Sequence, residues 1–575
     1  MEIFPMEELR ERLARDGRVA GEWHTVVRGS EIEVFELEII GIAENFVGPQ
    51  RPAFIAEASG PINVLSGPVA GMSGSPVYVD GRLAGAYAYG YLWPKEQALI
   101  GIQPIDNMLE VIEKYPLEGV KPEVTEAATD WRPARAEPTA ASHLGSRQAE
   151  VAALRPLPAP LFAGGFSQRT LNEFADEFAA LGIEPMQGPG TGSGTAAVGA
   201  EALTPGAPVA GVMMDGDFSM AGTGTVTWRE GDQVLGFGHP FFQFGDLQMP
   251  MAAAEIITVV RSVPRSFKLS NTGAIVGTIS QDRLTAIGGT IGDAPPMIDY
   301  RISVEAQPGQ ASEFSGRMFI HGRFSPLLAA IATFEALGAN IDADLEETIE
   351  ADLTLRFPER ESLRLSNLYS GVGAGGGLAR ELLQLVAALM TNPLEQAEIS
   401  AIEVDIRKRP VLDLRYLRGV TVEGSAPRAG ETLTVALHTR DFRGEPQRRL
   451  VEVPIPEHAG GQTLTLWIAD ANTINREQGF AGFFRPDFES VDDILDAARQ
   501  RLPQDAIYLR LLGQQDGLRV DGANLEGLPP SVRELATSPK SGQRVQTLSD
   551  YPLWEHRIRT SGVFQGSYRL SFQVE

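Results

Sequence analysis

A mainly β protein is predicted, and three observations predict it. Near the N-terminus, Ile32, Val34, Leu37 and Ile39 fall in short runs of alternating polarity, the pattern of half-buried strands. Two glycine-rich blocks, around 66–90 and 221–241, each read as a hairpin. From about Ala401 to the C-terminus, short strand-like runs recur with Gly, Pro and Asp between them. Strands this short and closely spaced point to small barrels and a sandwich, not to a parallel sheet.

Composition narrows the function. The 575 residues suffice for about three or four domains. The formal charge of −26, with no dense Lys/Arg cluster, excludes nucleic acid as a partner, because phosphate contacts need cations. The absence of cysteine removes disulfides, thiolate metal sites and cysteine nucleophiles. No apolar run reaches the ~18–20 residues of a membrane span. Met1-Glu2-Ile3-Phe4-Pro5 lacks the basic and apolar regions of a signal peptide.

Five regions follow in order: 1–119, 120–160, 161–330, 331–400 and 401–575. In the first, Glu7 to Arg15 has helical character and stops at Asp16-Gly17. Strands separated by a turn at Arg28-Gly29 come next, then Ala53–Ala56. The stretch Gly71-Met72-Ser73-Gly74-Ser75-Pro76 is a tight turn. Asp80-Gly81 joins the strands on either side of it as a primed hairpin turn. Glycines at 71 and 74 permit backbone angles that present Ser73 outward and aim the Gly71 and Ser73 amides at one point, as a serine nucleophile with an oxyanion hole requires. Ile105, Met108, Leu109 and Ile112 mark one face of a helix.

Residues 120–160 shift to Ala, Pro, Glu and Arg without periodicity and read as a linker. Thr170–Leu181 reads as a helix, and Gly188–Gly194 as a glycine-rich connection. The hairpin that turns at Arg229–Asp232 then delivers His239 to a Gly-His-Pro bend. In 331–400 strand and helix signals mix. Gly371, Gly373 and Gly376 spell G-x-G-x-x-G before a helix at Leu378–Met390, but no second parallel strand with a terminal acid follows, so no dinucleotide site is assigned. The last region reads as a β-sandwich with an inserted helix that starts at Ser490 as N-cap, a module that docks or spaces a protein partner.

Gly-Met-Ser-Gly-Ser-Pro-Val-Tyr followed by Asp-Gly-Arg-Leu-Ala-Gly-Ala resembles the serine region of the SpoIVB sporulation peptidases. Gly-Thr-Val-Thr with Leu-Gly-Phe-Gly-His-Pro, Ser266-Phe267-Lys268-Leu269 and Gly277 to Arg283 resemble that family's histidine region. Together the resemblance covers roughly 18–115 and 190–305 of the chain. It implies a two-barrel, chymotrypsin-like serine endopeptidase that acts on protein or peptide substrates. It also implies a bacterial origin and a location outside the cytoplasm. Ser73 would attack, His239 would serve as base, and the amides of Gly71 and Ser73 would form the oxyanion hole. No cofactor or metal is implied.

Two departures stand out. Here the serine segment precedes the histidine segment, the reverse of the sporulation peptidase; triad geometry tolerates any chain order. The family's aspartate has no counterpart: Ala58 holds the matching position. Glu57 beside it points to the other strand face, and Asp246 has only nearness to His239 in its favour. The third catalytic residue is therefore left unassigned. Of the seven histidines, none forms an H-x-x-x-H or H-E-x-x-H pair, and His24 falls in a strand pattern. The alternative function is a catalytically weak or inactive protease-fold scaffold that docks a partner.

Overall fold

The computed structural model describes residues 1–58, 60–90, 98–120, 155–157, 159–190, 199–262, 265–338, 346–371, 373–424, 427–478, 482–485, 488–513, 517–520, 523–525, 530–538, 545–548 and 551–575. Most of the linker read over 120–160, and residues 191–194 of the glycine-rich connection, lie outside them.

The N-terminal region closes on itself. Strands β1 (Val19–Val26), β2 (Ile32–Gly48), β3 (Arg51–Glu57), β4 (Val69–Ala70), β5 (Ser75–Val79), β6 (Arg82–Gly90) and β7 (Leu99–Pro104) follow in sequence. All but β4 pair antiparallel in the ring β5-β1-β2-β3-β7-β6, which the β5–β6 hairpin shuts. Asp80 and Gly81 turn that hairpin with φ of 50° and 73°, both left-handed as the primed turn requires. Inward-facing Trp23, Leu37, Ile39, Phe54, Val77, Tyr87 and Ile102 fill the barrel. The leading helix, Met6–Asp16, ends where Gly17 takes a left-handed φ of 76°.

A second ring follows. After β8 (Arg155–Pro156), β9 (Leu161–Gly164) and β10 (Met186–Gln187) come β11 (Pro208–Gly216), β12 (Ser219–Glu230), β13 (Gln233–Gly236), β14 (Gly245–Val260), β15 (Ser266–Arg283) and β16 (Ala286–Ile291). The order β12-β13-β16-β15-β14-β11, with β11 paired back to β12, is again a closed antiparallel ring. The helix read at 170–181 divides at Phe174 into Gln168–Glu173 and Ala175–Ala180, with Ser167 capping the first.

The region 331–400 is not a separate connector. Strands β17 (Met297–Gln307), β18 (Gln310–Phe319), β19 (Thr348–Arg356), β20 (Leu363–Ser370) and β21 (Ala401–Arg409) extend the second barrel's sheet in the order β11-β18-β17-β21-β19-β20. Helices Ser325–Gly338 and Ala374–Met390 pack on it, and one apolar cluster runs unbroken from Leu161 to Ala498. Strands β20 and β21 flank β19 and both run antiparallel to it, so the helix Ala374–Met390 connects two parallel strands that are not neighbours in the sheet; Gly373 caps that helix.

The sandwich starts at Leu414, not at 401. Strands β22 (Leu414–Glu423), β23 (Thr432–Asp441) and β24 (Pro446–Pro454) form one sheet; β25 (Thr463–Ala469) and β26 (Ala506–Gly513) lie in the other. Val435, Leu437, Val453, Leu466, Ile468, Leu509 and Leu511 fill the space between. Ser490 and Asp493 form a reciprocal capping box on the helix Val491–Gln500. Among the described residues no helix is long and apolar enough to cross a membrane.

Candidate active site

The two barrels meet along a seam, and the serine turn lies in it. Strand β4 pairs parallel with the start of β15, so Val69-Ala70 of the first half is stitched to Ser266-Phe267 of the second. The Ser266 hydroxyl donates to the Ser66 carbonyl at 2.6 Å. Leu83, Ala86, Ile105, Met108, Val111, Trp228, Leu235 and Ala286 form an apolar cluster drawn from both halves.

The turn itself is held from β12. The Thr225 amide donates to the Ser73 carbonyl at 2.9 Å. The Thr225 and Thr227 hydroxyls donate to the carbonyls of Gly71 (3.0 Å) and Gly74 (2.7 Å). From the other side, the Gly74 amide donates to the Tyr87 carbonyl on β6 at 2.8 Å. Gly71 and Gly74 have φ of 89° and 94°. Gly74 has no substitute here: an added Cβ would stand 2.0 Å from the Thr225 carbonyl oxygen and 2.4 Å from the Phe237 amide nitrogen.

Two serines share this turn, and their surroundings separate them. Ser75 Oγ donates to the Met72 carbonyl at 2.6 Å and meets Thr25 Oγ1 at 3.0 Å. Ser73 Oγ is fully buried and has no hydrogen-bond partner among the described residues. A buried hydroxyl left unpaired costs free energy, and among the two serines of the turn Ser73 is the one whose hydroxyl is free for chemistry.

His239 enters from a loop after β13. Phe237 and Gly238 both adopt left-handed φ, 69° and 70°, uncommon for a phenylalanine. The loop is tied down by Asp282 on β15, whose carboxylate accepts from the amides of Phe241 (2.7 Å), Phe242 (2.7 Å) and Phe244 (3.3 Å). Burial pushes the Asp282 carboxyl up, against the pull of those amides. His239 is 2% exposed. Its Nδ1 stands 2.6 Å from the Pro240 carbonyl oxygen, which can only accept, so Nδ1 carries the hydrogen. Nε2 is then the basic nitrogen, and it is buried with no hydrogen-bond partner among the described residues. Burial lowers the ring to about 4, although the main chain at Pro240 and Leu157 favours its charged form.

Ser73 and His239 thus share one seam: Gly74 backs on Phe237, and Gly238 lies against Ala86 and Ala88 of β6. Ser73 Oγ and His239 Nε2 do not hydrogen-bond to each other. No described turn hydrogen bond uses the amide of Gly71 or Ser73. Gln103, against Gly238, accepts from Tyr89 Oη at 2.7 Å while its own Nε2 is unpartnered and buried.

The sequence candidates for the third role are engaged elsewhere. Asp246 pairs with Arg283, and half-buried Glu57 pairs with Arg18. The group on His239 Nδ1 is a backbone carbonyl, which no residue-type search would find. His24 is bound to Glu22 at 3.1 Å. Lys268, within a block quoted for its family likeness, has a placement the sequence did not suggest. It is fully buried, with Nζ donating to Thr25 Oγ1 (2.7 Å) and Thr225 Oγ1 (3.3 Å), and burial lowers it to about 7. It stands behind the serine turn, its Cβ 3.2 Å from where a Gly71 Cβ would lie.

No family model, curated protein or solved structure matches this chain. Among the described residues, no three His, Asp or Glu side chains gather as a metal-holding set.

Proposed function

We propose that the protein is a serine endopeptidase of the SpoIVB type, with its serine half N-terminal to its histidine half. The observation that carries this is the placement, in one seam, of a Ser73 hydroxyl and a His239 Nε2 that both lack a hydrogen-bond partner among the described residues, with the histidine held in the tautomer that leaves Nε2 basic. Two closed antiparallel barrels flanking that seam are what a chymotrypsin-like enzyme needs.

In the proposed reaction Ser73 Oγ attacks a peptide carbonyl and His239 Nε2 takes its proton. The amides of Gly71 and Ser73 stabilise the oxyanion. The imidazolium returns the proton to the leaving amine, and water then releases the acyl group by the same route. The Pro240 carbonyl replaces the usual carboxylate. It fixes the same tautomer, so part of an aspartate's role is kept, but it carries no full negative charge to steady the imidazolium. The expected enzyme is slow and narrow in substrate. The family likeness supports a bacterial protein that works outside the cytoplasm, in the periplasm, at the cell envelope or secreted.

One observation favours a second reading, a non-catalytic scaffold that docks a protein through the C-terminal sandwich. Both reactive atoms are buried and they do not hydrogen-bond to each other. A fluorophosphonate probe separates the two, because it modifies a serine only where a base and an oxyanion site activate it. Labelling lost in both Ser73→Ala and His239→Ala supports the peptidase. Labelling absent from wild type and from variants that open the seam leaves the scaffold.

A further inference from the structure

The seam is closed by the chain's own residues. Strand β8 lies antiparallel on the outer edge of β6, with Pro156 opposite Tyr89 and Arg155 opposite Gly90. The Leu157 amide donates to the Ala88 carbonyl at 2.8 Å. The Leu157 side chain is 4% exposed and joins the first barrel's core, close enough that a Cβ on Gly90 would stand 3.0 Å from its Cδ2. Its main chain lies by the His239 ring, where it favours the charged form. Three residues on, Pro160 accepts from the Thr223 amide at 3.3 Å and lies 3.4 Å from where a Gly71 Cβ would be.

This is how a peptide would have to bind. Strand addition to a sheet edge supplies main-chain hydrogen bonds, while pockets for side chains supply selectivity. The edge used is that of β6, the strand whose Tyr87 carbonyl holds the Ser73 turn. An extended guest on β6 therefore has its register set relative to the serine.

Resting on the peptidase reading, we propose that Arg155-Pro156-Leu157 occupies the substrate groove. Substrates then bind as an antiparallel strand on Ala88–Gly90, with an aliphatic residue where Leu157 sits, and the enzyme is held closed until its own segment leaves. The residue after Leu157 is Pro158, whose nitrogen has no hydrogen and whose ring restricts its predecessor, a sequence suited to an occupant that is not cut.

The test uses the full chain carrying Ser73→Ala and a fluorescein-labelled peptide, Ala-Leu-Arg-Pro-Leu, read by anisotropy. With Leu157→Gly added, the peptide binds at least about tenfold tighter than with Leu157 kept, because the internal competitor is weakened. A peptide ending in Asp binds neither. Leu157→Ala, a milder truncation, gives the same order should the glycine variant not fold. Equal affinity with and without the truncation, or no preference for Leu over Asp, overturns the proposal. Fluorophosphonate labelling of the Ser73 form is followed in parallel. Peptide binding as expected with no labelling keeps the groove and removes the peptidase reading. Ser73-dependent labelling unchanged by Leu157→Gly, without peptide binding, keeps the peptidase and removes the groove.

Discussion

Replacing Lys268 by methionine makes the protein more stable at neutral pH and less so, relative to wild type, in alkali. Lys268 is fully buried, its ammonium donates to two threonine hydroxyls, and burial lowers it to about 7 against an ordinary 10.5. Between those values the unfolded chain binds a proton that the folded chain does not, so folded stability rises with pH. The interval corresponds to about 4–5 kcal/mol, at about 1.4 kcal/mol per pH unit. Methionine keeps most of the volume and has nothing to titrate. It forfeits two hydrogen bonds and leaves two hydroxyls unpaired in part, about 1–2 kcal/mol together. The variant is then stabilised by about 2–4 kcal/mol at pH 7 and loses that advantage by pH 10. Urea unfolding of both proteins at pH steps from 6 to 10 measures the difference, in which titrations common to both cancel. A difference that does not change with pH would refute the account, since it would mean that Lys268 stays charged in the folded chain.

Three further outcomes are expected. Gly74→Ala places a methyl group 2.0 Å from the Thr225 carbonyl and requires φ near 94°; thermal unfolding should show a loss of about 3 kcal/mol or more, while Gly17→Ala, with open space around it, costs about 1 kcal/mol. Labelling of Ser73 needs neutral His239, so its rate stays level on acidification until pH falls to about 4. Leu157→Gly, by admitting water, moves that midpoint towards 6.5. Asp282→Asn leaves one acceptor oxygen for the amides of Phe241, Phe242 and Phe244. The His239 loop loosens, and labelling falls about tenfold or more while the Asp282→Glu chain recovers only part of it.

Much of the architecture was open to local reading, because its signals are short-range. Asp80-Gly81 turns a hairpin since only left-handed angles match the twist of its strands, and Asp-Gly adopts them cheaply. Ser490 with Asp493 starts a helix because the two satisfy the orphan amides of a first turn wherever they occur. The bends that carry Ser73 and His239 were legible for the same reason: each is a glycine-rich turn whose residues are neighbours in sequence. Where the reading stopped, distance along the chain was the cause. Phe174 ends a helix whose period continues, and 331–400 joins the second barrel's sheet through β19 paired on β21, and β21 on β17, which periodicity does not encode.

Sequence alone determined the β class, the two bends, the sandwich and the exclusion of thiol chemistry. Tertiary structure decided what stands beside Ser73 and His239. A backbone carbonyl became the partner of His239 Nδ1, a lysine lost its water and with it much of its basicity, and Arg155-Pro156 became a strand on β6 with Leu157 bound beside it. Each depends on burial or on a hydrogen bond between residues far apart in the chain, and neither quantity exists until the barrels have closed.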